Sequence, residues 1–80
     1  MLETEITPHA LALLRICNTM SQWFKEDPKD PRLHLYFEHD AIRGNDDGTL
    51  SFHRERMVFC LFRDKTPEIE DLVYQLKVVP

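Results

Sequence analysis

Met57-Val58-Phe59-Cys60-Leu61-Phe62 is the stretch on which the fold of this 80-residue chain turns. At the two-residue period of a strand it is apolar on both faces. Met57, Phe59 and Leu61 share one face, and Val58, Cys60 and Phe62 share the other. Such a run reads as a central strand covered on both sides. Upstream, Leu33, Leu35 and Phe37 alternate with His34, Tyr36 and Glu38, the pattern of a half-buried strand. Between the two, Gly44-Asn45-Asp46-Asp47-Gly48 is the strongest turn signal in the chain. It is expected to reverse direction into Thr49 to His53, where Leu50 and Phe52 alternate with Ser51 and His53. A second reversal near Arg54-Glu55-Arg56 is needed to reach the central run, and no Gly, Asn or Pro marks it. One long bulged strand from Thr49 to Arg63 is the alternative.

Helical segments bracket these strands. Thr7-Pro8 is an N-cap followed by proline at the first helical position, where its missing N–H costs nothing. Ile6, Ala10, Leu13, Cys17, Met20 and Phe24 form one stripe, continued to about Glu26. Leu14 widens it on one side, and Ala12, Ile16 and Trp23 on the other, giving an apolar arc of about 200° where one sheet needs roughly 100°. A second helix or a terminus is the simplest cover for the Ile16/Trp23 flank, and a partner is the other. Asp27-Pro28-Lys29-Asp30-Pro31 reads as a stop and spacer, because each proline holds the residue before it extended. Thr66-Pro67 repeats the capping device, with Glu68, Glu70 and Asp71 placed to suit the helix dipole. Ile69, Leu72, Val73 and Leu76 supply the apolar stripe of a helix to about Lys77, followed by an extended Val78-Val79-Pro80 tail. The expected architecture is one small α+β domain over residues 1–80, in the order α-β-β-β-α. A three-stranded antiparallel sheet would carry both helices packed on one face.

Composition narrows the class. An apolar fraction of 42% with 30% charged residues is that of a globular protein, too apolar for disorder. The core is thin at this length, and many such chains add a metal, disulfides or a partner subunit. The net charge of −4 disfavours a general polyanion binder. Cys17 and Cys60 each sit in an apolar run and read as reduced core residues of a cytoplasmic protein. Glu3 and Glu5 stand where a signal peptide would be basic. Ala10 to Leu14 meets Arg15 at once, so neither a leader nor a membrane span is expected.

Candidate chemistries fail on spacing. Aligning Gly48 with the invariant glycine of an EF-hand loop puts Arg43 and Arg54 where carboxylates belong. His34 to His39 is one residue longer than H-x-x-E-H, and on a strand the two histidines have opposite parity. His34 and Glu38 would stand about 13 Å apart along a strand, too far for one ion. Ser51 and His53 on the second strand and Cys60 on the central one are the nucleophile and base candidates, with no glycine elbow or phosphate-cradling loop beside them. No metal, cofactor, catalytic residue or small-molecule substrate is therefore expected, and the chain does not read as an enzyme.

Two binding readings remain. With both helices on one face, the outer strands give the open face His34, Tyr36 and His53 around an apolar centre, the composition of a protein interface. Trp23 and Ile16 offer a second surface. A cytoplasmic interaction or regulatory protein follows, docking onto a partner or self-associating as a homodimer. The alternative is a nucleic-acid-binding module using Arg54 and Arg56, interleaved with aromatic residues. The element order matches that of the double-stranded RNA-binding domain as a topology. The last helix here opens Glu68-Ile69-Glu70-Asp71, which repels phosphate.

Overall fold

The computed structural model describes residues 8–78. Its elements are helix α1 (Pro8–Glu26), a single 3-10 turn (Pro31–Leu33), helix α2 (His34–Glu38), strands β1 (Ile42–Gly44) and β2 (Leu50–Phe52), and helices α3 (Arg54–Arg63) and α4 (Pro67–Val78). The expected three-stranded sheet is corrected. The sheet has two antiparallel strands, with Ile42 opposite Phe52, Arg43 opposite Ser51 and Gly44 opposite Leu50. The fold remains α+β, with helices dominating, and the topological likeness to the double-stranded RNA-binding domain lapses with the third strand.

Both segments read as outer and central strand are helical, and local chemistry explains each. Asp30 is a helix cap as well as a spacer. Its Oδ1 accepts from the Arg32 N–H at 2.9 Å, and Pro31 occupies the first position of the 3-10 turn. The chain then runs directly into α2, where Leu33 and Tyr36, three apart, are both fully buried. The helix closes in a Schellman motif: Ala41 N–H donates to the Tyr36 carbonyl at 2.8 Å and Asp40 N–H to that of Phe37 at 3.1 Å. Asp40 takes the left-handed conformation this requires, with φ of 59°.

No reversal occurs at Arg54-Glu55-Arg56, nor does one long strand form. His53 is extended, and its Nδ1 accepts from the Arg56 N–H at 3.3 Å. Its carbonyl receives the Met57 N–H at 2.8 Å, which starts α3. Met57, Cys60 and Leu61, spaced i, i+3, i+4, are buried, whereas Val58, Phe59 and Phe62 are exposed.

The hairpin turn matches its sequence signal. Asn45 N–H donates to the Thr49 carbonyl at 2.8 Å, Asp47 Oδ1 accepts from Thr49 N–H and Oγ1, and Gly48 has φ of 88°. Helices α1 and α4 also begin with the expected residues. Ile69 N–H donates to Thr66 Oγ1 at 3.4 Å, the cap foreseen for α4, which runs through Val78 in place of the expected extended start of the tail. The Thr7 cap, Ile6 and the Val79-Pro80 end lie outside the described residues.

One core joins all the elements, through Ile16, Met20 and Trp23 of α1, Leu33, Tyr36, Ala41, Ile42, Leu50, Met57, Cys60, Leu61 and Ile69. The wide apolar arc of α1 is covered twice, since α1 packs against both α4 and β2. Burial centres on Ala12, Ile16, Met20 and Trp23; Leu13, Cys17 and Phe24 are half-buried. The stripe expected at the centre is therefore partly its edge.

Candidate functional site

Two buried carboxylates fix the framework on which the outer surface rests. Asp30 holds the Arg32 guanidinium, with Nη2 to Oδ2 at 2.7 Å and Nε to Oδ1 at 3.1 Å. That guanidinium lies 4.0 Å over the Trp23 ring and 3.8 Å from Glu68 on α4. The bond from the Arg32 side chain holds the Asp30 carboxyl below the usual carboxylate range. Asp64 ties α2 to the corner between α3 and α4. Its Oδ2 accepts from the Tyr36 hydroxyl at 2.7 Å and its Oδ1 from the Thr66 N–H at 2.9 Å. Burial first, and the Asp64 carboxylate second, push the Tyr36 hydroxyl far above the usual phenol range.

These contacts relocate the expected binding residues. Ile16 and Tyr36 have no exposed surface, and Trp23 keeps 9%, beneath Arg32. Their side chains belong to the core, because the open sheet face that was to present Tyr36 does not exist and Arg32 roofs the α1 flank. His34 is exposed at the start of α2, and His53 is exposed as the cap of α3; neither stands on a strand, so they share no sheet face with Tyr36.

Arg54 and Arg56 are also separated. Two apart on a strand they would share a face, but on a helix they point about 200° apart. Arg54 borders a small apolar groove of about 200 Å³ with Leu14, Cys17, Phe52 and Met57. Arg56 borders a separate, more polar groove of about 350 Å³, with Arg43, His53 and Asp40. There Asp40 stands 3.6 Å from Arg56 and offsets its charge.

Other candidate reactive groups have structural partners. Ser51 Oγ and the Asn45 side chain are bonded to each other across the hairpin. The Cys60 thiol is buried against the Leu35 carbonyl at 3.9 Å. Burial pushes the Cys17 thiol up to about 11, so at neutral pH it is protonated and a poor nucleophile. Both cysteines are free thiols. Among the described residues no three His, Cys, Asp or Glu side chains are grouped as metal ligands, and no described helix is long and apolar enough to cross a membrane.

What the structure places on the surface is the outer side of α3. Arg54, Val58 and Phe62 recur every four residues, and Phe62 is 67% exposed. Phe59, one residue round the helix, already has company: His39 meets it edge-on at 5.4 Å, and the Arg63 guanidinium lies 4.8 Å over its ring. Among the described residues Phe62 stacks on no other ring. It borders a groove of about 290 Å³ shared with Leu61, Lys65, Glu70, Val73 and Tyr74. Tyr74 on α4 is 63% exposed. The strand reading kept Val58 and Phe62 together but grouped them with Cys60, which α3 turns into the core. The recurrence of Arg54, Val58 and Phe62, and of Glu70 and Tyr74, was the signal available.

Compared with protein-family models, curated proteins and solved structures, the chain matches none of them.

Proposed function

We propose that this chain is a small cytoplasmic interaction or regulatory domain that acts by binding another protein, not by catalysis. Its docking face is the outer side of α3 with the adjoining groove to α4. The observation that carries this reading is Phe62, a large aromatic side chain left two-thirds exposed beside Val58 and Tyr74. Single exposed apolar residues are ordinary, but aromatic side chains gathered at a groove with a charged rim have the composition of interface anchors. Support also comes from the buried polar groups. Asp30, Asp64 and the Tyr36 hydroxyl are each held by structural bonds. The nucleic-acid reading loses its main support, since helical geometry divides Arg54 from Arg56.

The test places a photo-cross-linking phenylalanine analogue at position 62 in cells that make the protein, with the exposed Glu38 position on α2 as control. The expected result is a covalent adduct from position 62 and none from position 38. Absence of any adduct from position 62 would overturn the docking reading.

A further inference from the structure

We infer that the partner of this face is a second copy of the same chain, docked across a two-fold axis with α3 of each protomer on α4 of the other. The inference rests on the docking reading above and names its partner.

A two-fold interface must be self-complementary, because one patch supplies both halves of every contact. This patch has two such halves. Its α3 half, Arg54, Val58 and Phe62 continued by Lys65, is basic and apolar. Its α4 half, Glu70 and Tyr74, is acidic and apolar. The halves meet where Phe62 and Lys65 share a groove with Glu70 and Tyr74, all four exposed, and among the described residues neither Lys65 nor Glu70 has an ion-pair partner. Turning a second copy through 180° lays each basic half on an acidic one, twice over.

Shape points the same way. The protruding Phe62 ring adjoins the groove of about 290 Å³ lined by Leu61, Val73 and Tyr74. Knob and recess on one face permit reciprocal insertion. An acidic partner would suit the α3 half alone, and a basic one the α4 half alone. Oligomerisation is also a common supplement to a core this small.

The test is sedimentation equilibrium of the full chain from micromolar to millimolar concentration at low salt, where exposed ion pairs are least screened. A concentration-dependent dimer is expected. Phe62→Ser should weaken it by about tenfold or more while leaving the circular dichroism spectrum unchanged. Lys65→Glu and Glu70→Lys should each weaken it several-fold, and the double exchange should restore it, since each ion pair occurs across the axis. A chain monomeric throughout overturns the second-copy inference. The docking reading then stands or falls separately, by whether the position-62 adduct appears with a mass other than twice the chain. A dimer indifferent to Phe62→Ser also overturns the inference, as do charge exchanges that weaken association without mutual rescue.

Discussion

Helix α3 has two sides made from one apolar run, and they differ in every physical respect. On the inner side Met57 and Cys60 are fully buried and Leu61 nearly so, beside the corner where Asp64 receives the Tyr36 hydroxyl. On the outer side Val58 is 40% exposed and Phe62 67%. Hydrophobicity does not distinguish them; position in a 3.6-residue period does. The inner residues define the fold, and the outer ones are available for contacts beyond those the described residues make among themselves. Substitutions on the two sides should therefore separate stability from association.

The largest effect is expected inside. Met57→Ala removes a fully buried side chain at the centre of the core and should cost about 2–5 kcal/mol, read as a lower urea midpoint with unchanged slope. A loss under about 1 kcal/mol would mean that the inner side of α3 is not packed as described. Tyr36→Phe is next. It keeps the ring and removes only the hydroxyl, leaving Asp64 Oδ2 without its 2.7 Å donor. A hydrogen bond to a charged group contributes about 1.5–3 kcal/mol, so a loss in that range is expected by the same measurement.

The helical character of these two segments was only partly legible. Thr66-Pro67 reads as a helix start because a cap residue precedes proline, and the Thr66 hydroxyl does cap α4. Asp30-Pro31 carries the same signal and caps the turn leading into α2, but the preceding Asp27-Pro28 made the pair look like one continuous breaker. Leu33 and Tyr36 were then sorted by alternation when a three-residue spacing described them better. At 57–62 no period was readable, since six consecutive apolar residues satisfy strand and helix alike. The decisive facts there are a local one, a histidine acting as cap, and a tertiary one, which of the six are covered. The Schellman closure at Asp40 was equally hidden, because its left-handed residue is not glycine. By contrast, Gly44 to Gly48 carries its turn in local chemistry, and the structure follows it. For the site, the same period error placed Tyr36 outside and grouped the buried Cys60 with the exposed Val58 and Phe62. The cover over Trp23 depends on Arg32 crossing from the linker, which no stripe on α1 could reveal.

That linker permits a prediction with a sign. Bonded by Arg32, the Asp30 carboxyl titrates below its unfolded value, so the folded state resists its protonation. Its contribution is fully present above the unfolded value of about 3.9 and is lost as pH falls through the lower folded value. Relative to Asp30→Asn, which retains an acceptor for the Arg32 N–H, the wild-type chain should be more stable at neutral pH. The difference should shrink below about pH 4. Paired urea titrations at neutral and acid pH measure it, and a difference independent of pH would show that the Arg32 bond does not depend on the Asp30 charge.

The smallest effect on stability is expected outside, at Phe62→Ala in dilute solution. A fully buried phenylalanine contributes about 1.5–3 kcal/mol, and one that is two-thirds exposed only about a third of that. Alanine is the better helix former by roughly 0.5 kcal/mol, so the two terms nearly cancel and the unfolding midpoint should stay within about 0.5 kcal/mol of wild type. The comparison sharpens as concentration rises. Dimerisation of the folded state alone stabilises by mass action, so the wild-type thermal midpoint should climb with protein concentration. The variant's midpoint should begin to climb only at about tenfold higher concentration, because the residue it lacks contributes to association and hardly at all to the folded monomer. Differential scanning calorimetry over a dilution series reads both at once. A climb beginning at the same concentration in both proteins would place Phe62 outside any self-contact, and a large loss in the dilute limit would place it in the core with Met57.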